Sequence, residues 1–334
     1  MALVSLGDLA QSFLLKSQTA RLKGEAGRIT RELASGQVAD VGAALSGDLA
    51  RLTSESRART VTAGYQSGAR EVAAQASATQ SALGLISGSV QALVSPLLAA
   101  SQLNLVDQIA LAGEDARGRL ETVLATLNTS VGGRSLFAGQ AVHSPAVAGS
   151  EVILTALRAE VAGAATAQEA LTRISAWFDA PTGFAATAYQ GGAPLADVAV
   201  SATDRVWLGA TAEDPALREV LKGLTAAALI NDTALPLPLL ESKALARLSA
   251  EALLTGQEKV TNLAARLGIS EGRIEAAQSR NAADLLAHEM AQADLIRSDP
   301  ERLAMELEAV QTNLETVFAI TARLSRLSLT DFLR

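Results

Sequence analysis

Two histidines, His143 and His288, and no cysteine make up the sparse set of metal-ligand and nucleophile residues in this 334-residue chain. His288-Glu289-Met290-Ala291-Gln292 begins like the helical motif in which two histidines one turn apart hold zinc beside a general base. Gln292 stands where the second ligand would be needed, so no metal site follows. Gly84-Leu85-Ile86-Ser87-Gly88 carries its serine one place away from nucleophile-elbow spacing, and no suited histidine and acid come after it. Gly132-Gly133 lacks the spacing and the lysine of a phosphate cradle. Glu301, Glu306 and Glu308 lie outside an apolar heptad stripe and read as a solvated face, because acid–base work needs an enclosing pocket. These residues point away from catalysis, bound metal and cofactor. The net charge of -7, the pI near 5.1 and the lack of a Lys/Arg cluster point away from nucleic acid.

The elements that would position such residues are helical. Hydrophobic residues make up 49% of the chain and charged residues 19%, enough apolar surface for a folded protein, yet aromatics are only 3%. An Ala- and Leu-rich text with few aromatics suits long helices packed at close range. Leu15, Thr19, Leu22, Ala26, Ile29 and Leu33 follow alternating four and three spacing, a heptad stripe that ends at Ser35-Gly36. Leu303, Leu307, Val310, Leu314, Val317, Thr321 and Leu324 repeat that spacing after a start at Ser298-Asp299-Pro300. Each stripe is too narrow for a globular core by itself. The two stripes could share one coiled coil, mate with neighbouring copies, or dock on the chain's own bundle.

Between these ends, Thr53 to Gln80 and Glu241 to Met290 keep helical spacing. The spacing predicts a break near Gly84 to Ser95, with Ser95-Pro96 opening a further helix that weakens at Gly113 and Gly118 and closes near Val131 and Gly132-Gly133. Phe137, Trp177, Phe178, Phe184, Tyr189 and Trp207 concentrate the aromatics in a middle text of different composition. There Glu151 to Trp177 is helical in spacing, whereas Phe184 to Tyr189, Val198 to Val200, and Val206 with Leu208 alternate, which predicts a small antiparallel sheet. Asp214-Pro215 caps a helix through Ile230, and Pro236-x-Pro238 marks the return to the helical framework. The expected division is 1–40, an N-terminal heptad helix; 41–137, the first half of a helical rod; 138–238, an inserted mixed α/β domain; 239–297, the second half of the rod; and 298–334, a C-terminal heptad helix. Asn128, Gly133, Arg134, Leu136, Phe137 and Gly139 form the expected joint between rod and insert. In it Arg134 pairs locally, and Leu136 and Phe137 tuck into the root of the insert.

The opening residues lack a basic segment and a small-residue cleavage site, and they carry Asp8 and Gln11 in their apolar part, so they do not read as a Sec signal. Val72 to Val106 is uncharged, but polar residues, Gly84, Gly88 and Pro96 recur within it, which argues against a membrane span.

Asn128-Thr129 followed by Gly133-Arg134-Ser135-Leu136-Phe137-Ala138-Gly139 resembles the N-T-x-x-x-G-R-x-L-F-x-G signature of the hook-filament junction family within the flagellin superfamily. Glu32-Leu33-Ala34-Ser35-Gly36 is similar to the turn after the first flagellin-type helix. Tyr189-Gln190-Gly191 is similar to the Y-x-G of the junction family's inserted domain, and Leu327 to Arg334 to its closing S-L-x-D-Y-L. Two stretches depart from the family pattern: Asp40 to Asp48 keeps only scattered acids, and Val142-His143-Ser144-Pro145 is all that follows F-x-G.

This resemblance implies a mainly α fold, an elongated flagellin-like helical bundle or coiled coil formed by both chain ends with a smaller β-containing insert. It implies a non-enzymatic subunit that joins hook to filament outside the cell and leaves the cytoplasm by the flagellar type III route. Its implied partners are other copies of itself, hook-associated proteins and flagellin, with a cytosolic export chaperone on the C-terminal helix. The implied assembly and chaperone seam is Leu15, Leu22, Ile29, Leu33, Leu303, Leu307, Val310, Leu314, Val317 and Leu324. Flagellin itself is the rival within the superfamily, disfavoured by the G-R-x-L-F-x-G stretch. A soluble coiled-coil adaptor would explain the heptads but not the insert.

Overall fold

The computed structural model describes the backbone of residues 6–102 and 105–332 and the side chains of 10–102 and 105–324. The fold is mainly α, with two two-stranded antiparallel pairs among the described residues. The chain divides into two compact units, Met1–Val61 with Ala283–Arg334, and Thr62–Ala282.

The first unit holds α1 (Leu6–Ser35), the short α2 (Val41–Ala44), the start of α3 (Ala50–Gln102), the end of α9 (Leu239–Ile296) and α10 (Pro300–Phe332). Helix α1 stops where Gly36 takes φ +69, a left-handed conformation that favours glycine, and its N–H reaches back to the Glu32 carbonyl at 2.9 Å. Helix α10 starts as expected from Ser298-Asp299-Pro300. The Asp299 carboxylate accepts the N–H groups of Glu301 and Arg302, both at 3.1 Å. Ser298 is not the cap, because its side chain is committed elsewhere.

The second unit contains the rest of α3 and α9, with α4 (Val106–Leu127), β1 (Ser130–Val131), β2 (Arg134–Ser135), α5 (Ser150–Val161), α6 (Ala167–Asp179), α7 (Phe184–Thr187), β3 (Val198–Ala199), β4 (Arg205–Val206) and α8 (Pro215–Ala228). One apolar core joins them. Helix α8 is buried on nearly all sides, and its polar face is paired and not solvated: Arg218 donates to the Phe178 carbonyl at 3.0 Å and Lys222 reaches Asp179 at 2.9 Å. Glycines let its neighbours close in: a Cβ at Gly113 of α4 would lie 2.9 Å from the Ile230 carbonyl oxygen, and one at Gly256 of α9 would lie 2.9 Å from a Val220 methyl.

Three expectations are corrected here. Helix α3 does not break at Gly84 to Ser95 but continues through Pro96 to Gln102. Gly84, Gly88 and Pro96 are all exposed, so the missing hydrogen bond opposite Pro96 falls on the outer face while Leu93, Val94 and Leu97 pack inward. Helix α4 closes at Leu127 rather than near Val131, and Gly132-Gly133, with φ +58 and +77, instead turns the hairpin that pairs Ser130 with Ser135 and Val131 with Arg134. Two consecutive positive-φ residues match the right-handed twist of a tight hairpin. Phe184 to Tyr189 is not a strand: α7 makes one helical turn there, and Tyr189 forms only a single bridge to Val147. The reason lies at Gly183, where any Cβ would meet the Trp177 carbonyl oxygen at 1.8 Å, so the chain folds tightly back on α6. The expected pairing of the Val198 and Val206 segments is present, with Val198 opposite Val206 and Ala199 opposite Arg205.

Helix α3 is the one helix among the described residues that is long and apolar enough to cross a membrane. Its Leu83, Ile86, Val90, Leu93 and Leu97 are buried in the core of the second unit.

Candidate assembly surface and domain joint

The terminal heptads meet each other. In the first unit α1 and α10 run antiparallel, because Gly36 pairs with Ser298, Arg28 reaches Glu306 and Lys23 lies over Phe318, in reverse order along the two helices. Leu22, Ile29, Leu303, Val310 and Val317 are buried in one cluster, and Leu15, Leu33, Leu307 and Leu314 pack around it half-buried. Thr19 and Thr321, which interrupt the stripes, donate their hydroxyls to the Leu15 and Val317 carbonyls within their own helices, so neither leaves a polar group unpaired in the seam. Leu324 is half-buried. The closing stretch Leu327 to Arg334 lies outside the residues whose side chains are described.

One end of this pair is held by a polar buckle. The chain after α1 and the chain before α10 form an antiparallel bridge, Gln37 to Arg297, flanked by Val38 N–H to the Ile296 carbonyl at 2.9 Å and Ser298 N–H to the Gly36 carbonyl at 3.0 Å. The Ser298 hydroxyl donates to the Glu32 carbonyl at 3.2 Å. Glu32 itself is only 4% exposed. Its Oε1 accepts from Arg28 at 2.8 Å and from the Ala39 N–H at 3.1 Å.

Burial pushes the Glu32 carboxyl up, but the Ala39 N–H and Arg28 outweigh it and leave it below its ordinary value. A carboxylate depressed by folding stabilises the fold above its ordinary range and stops doing so as pH falls through the folded value. The α1–α10 pair is therefore expected to loosen on acidification through and below the ordinary carboxylate range, with a weaker pH dependence in Glu32→Gln. Hydrogen exchange of the Ala39 and Gly36 amides across that range checks this. Equal pH dependence in both proteins would contradict it.

The residues expected to form a joint, Asn128 to Gly139, all lie within the second unit. Asn128, the C-cap of α4, accepts the N–H groups of Ala146 and Val147 at 2.8 and 2.9 Å and donates to the Val147 carbonyl at 2.9 Å, using both lone pairs of its oxygen and one of its two N–H groups. Leu136, Phe137 and Ala138 are buried; the Phe137 carbonyl accepts from Ala212 N–H and the Ala138 carbonyl from Gly192 N–H, each at 2.9 Å. Gly139 sits at φ +57, and a Cβ there would lie 2.4 Å from the Ala193 carbonyl oxygen. The Tyr189 hydroxyl donates to the Gly192 carbonyl at 2.7 Å, which turns Tyr189-Gln190-Gly191 back on itself and presents the Gly192 N–H to Ala138. The Gly133 carbonyl lies 3.2 Å from His143 Nδ1. Arg134 does not pair locally through its side chain: it projects outward from β2 and forms no ion pair among the described residues.

Residues the sequence reading passed over dock α8 and β3–β4 onto α9. Lys259, Arg266, Arg273 and Arg280 recur every seventh residue along that helix. Lys259 reaches Glu219 at 2.7 Å, Arg266 lies 4.3 Å over the Trp207 ring and Arg280 reaches Asp204 at 2.7 Å. Beside them Asn281, 3% exposed, donates to the Val200 carbonyl at 2.9 Å. The seven-residue recurrence was the available signal.

The chemically suggestive residues have structural occupations. His288 pairs with Glu55 at 2.8 Å, and Glu289 with Arg59 at 2.9 Å, tying α9 to α3 within the first unit. Glu306 is shared by Arg28 and Arg302, while Glu301 and Glu308 are exposed. A shallow cleft of about 120 Å³, lined by Ala73, Glu271, Ile274, Glu275 and Gln278, is smaller than small-molecule sites usually are.

No protein-family model and no curated protein matches the chain. Among solved structures, that of a "putative flagellar hook-associated protein from Vibrio parahaemolyticus" is similar in fold, with TM-score 0.51 and 12% identity, covering 73% of this chain and 95% of the other. At that identity the likeness concerns the fold.

Proposed function

We propose that this chain is a non-enzymatic structural subunit of the bacterial flagellum, located outside the cell at the hook-filament junction and assembled through α1 and α10. The observation that carries the reading is the pairing of the two terminal heptads around Leu22, Ile29, Leu303, Val310 and Val317 in a chain whose fold is similar to a hook-associated protein. The joint supports it, because the G-R-x-L-F-x-G residues that set the junction family apart from flagellin are those that seat Phe137 and Gly139. The five segments 1–40, 41–137, 138–238, 239–297 and 298–334 are its working divisions.

In this reading the chain leaves the cytoplasm by the flagellar type III route, with an export chaperone on α10, and then contacts copies of itself, hook-associated proteins and flagellin. Leu314 is half-buried at the edge of the stripe, so Leu314→Asp places a charge on the seam without emptying the centre of the cluster. Cells carrying it are expected to shed or fail to attach filaments. Normal attachment, with the variant present at wild-type level, would defeat the seam assignment.

A further inference from the structure

We propose that the outer face of α1 in one copy of this chain packs on the outer face of α10 in a second copy. The inference rests on the reading of α1 and α10 as assembly helices and names the faces involved. Leu22, Ile29, Leu303, Val310 and Val317 are used up within each copy, so a neighbour has to be met by another side of the pair. Both helices have such a side. Phe13, Ser17, Ala20, Gly24 and Gly27 repeat the four and three spacing along α1, and Met305, Ala309, Thr312, Thr316 and Ala319 repeat it along α10; all ten are exposed. Phe13 is 76% and Met305 65% exposed, and Ile320 lies exposed beside Ala319, which is apolar surface that the chain's own fold does not cover. Gly24 and Gly27 sit inside α1, where glycine weakens a helix, and a Cβ on either would meet nothing within 4 Å. The chain's own packing therefore does not require them, whereas a closely approaching second helix would.

Charge identifies the occupant as a second copy. The charged residues that border the α1 stripe, Lys16, Arg21, Lys23 and Arg28, are all basic, and Arg31 closes it at the end near Gly36. Those that border the α10 stripe between Met305 and Ile320, namely Glu306, Glu308 and Glu315, are all acidic, with Arg302 and Arg323 standing at its two ends. Arg28 and Glu306 already face each other at 3.8 Å within one copy, while Lys16, Arg21, Glu308 and Glu315 are exposed and form no ion pair among the described residues. An α1 face set against another α1 face would oppose like charges, and so would two α10 faces. Only α1 against α10 brings opposite rows together. The small residues of α1 also leave room for Met305, Thr312 and Thr316. Each stripe lies on the side of its helix away from the seam, so one neighbour covers one stripe and leaves the other open. The contact is therefore heterologous and passes from copy to copy, closing into a ring or continuing as a helical array.

The test is a charge swap on the purified full-length chain, read by sedimentation velocity over a range of concentrations and salt. The wild type is expected to self-associate as concentration rises and to do so less as salt is added. Lys16→Glu/Arg21→Glu makes both faces acidic, and Glu308→Lys/Glu315→Lys makes both basic. Each double variant alone is expected to associate about tenfold more weakly than wild type. An equimolar mixture of the two is expected to regain wild-type association, because the acidic α1 face of the first then fits the basic α10 face of the second. Circular dichroism checks that each variant keeps its helix. If one loses helix, Arg21→Glu or Glu315→Lys alone takes its place and is read by the same loss and the same recovery on mixing. A wild type that stays monomeric, variants that associate as strongly as wild type, or a mixture no stronger than its components would overturn the contact. None of these results depends on flagella, so failure here leaves the flagellar reading standing, and failure of that reading leaves the contact between copies measurable.

Discussion

Ile29→Asp is expected to separate α1 from α10 while leaving the second unit folded. Ile29 is fully buried at the centre of the terminal cluster. Removing such a side chain typically costs about 2–5 kcal/mol, and an unpaired carboxylate in the same place adds a desolvation penalty. Among the described residues five buried side chains form this cluster, so one charge at its centre disturbs a large share of it. Circular dichroism should show a loss of helix already at low temperature, and amides flanking Leu303 on the partner helix should exchange freely. Retained protection of α10 in this variant would mean that the stripes do not depend on each other.

Phe137→Ala is expected to destabilise the second unit by about 3–5 kcal/mol, the usual cost of emptying a fully buried phenylalanine site. Phe137 is 0% exposed, and its own backbone carbonyl and that of Ala138 accept from Ala212 and Gly192, so the side chain and the backbone pin the same bend after β2. Relaxation into the cavity is limited on that account. A thermal scan of the purified variant should show a lower melting transition, with His143 and Tyr189 among the residues whose environment changes. A transition within about 0.5 kcal/mol of wild type would show that the ring is not central to the joint.

The helical framework was legible because burial follows a repeat. Leu22, Ile29, Leu303 and Val310 fall on a 3.5-residue period, and their pairing was one of three outcomes that this period allowed. Capping chemistry located the starts of α8 and α10, since Asp214 and Asp299 act within their own turns. Glycine and proline misled where their exposure was unknown: Gly84, Gly88 and Pro96 suggested a break, yet all three sit on the outer face of α3. Phe184 to Tyr189 looked alternating, but a close approach of Gly183 to the Trp177 backbone decides the conformation, and no local pattern reports such an approach. Within the site, Leu136 and Phe137 could be placed from hydrophobicity alone. The partners of Asn128 and Glu32 could not, because the residue type announces a need for hydrogen bonds without naming the backbone groups that meet it. The cations spaced seven apart on α9 were open to reading, and what they clasp required the fold.

The central claim, that this chain joins the filament to the hook, is tested most directly by deleting its gene and examining the cells by negative-stain electron microscopy, with a complemented strain alongside. The account predicts hooks of normal length without attached filaments, flagellin released into the medium, and loss of swimming that the intact gene restores. Cells that swim with normal filaments seated on their hooks would contradict it.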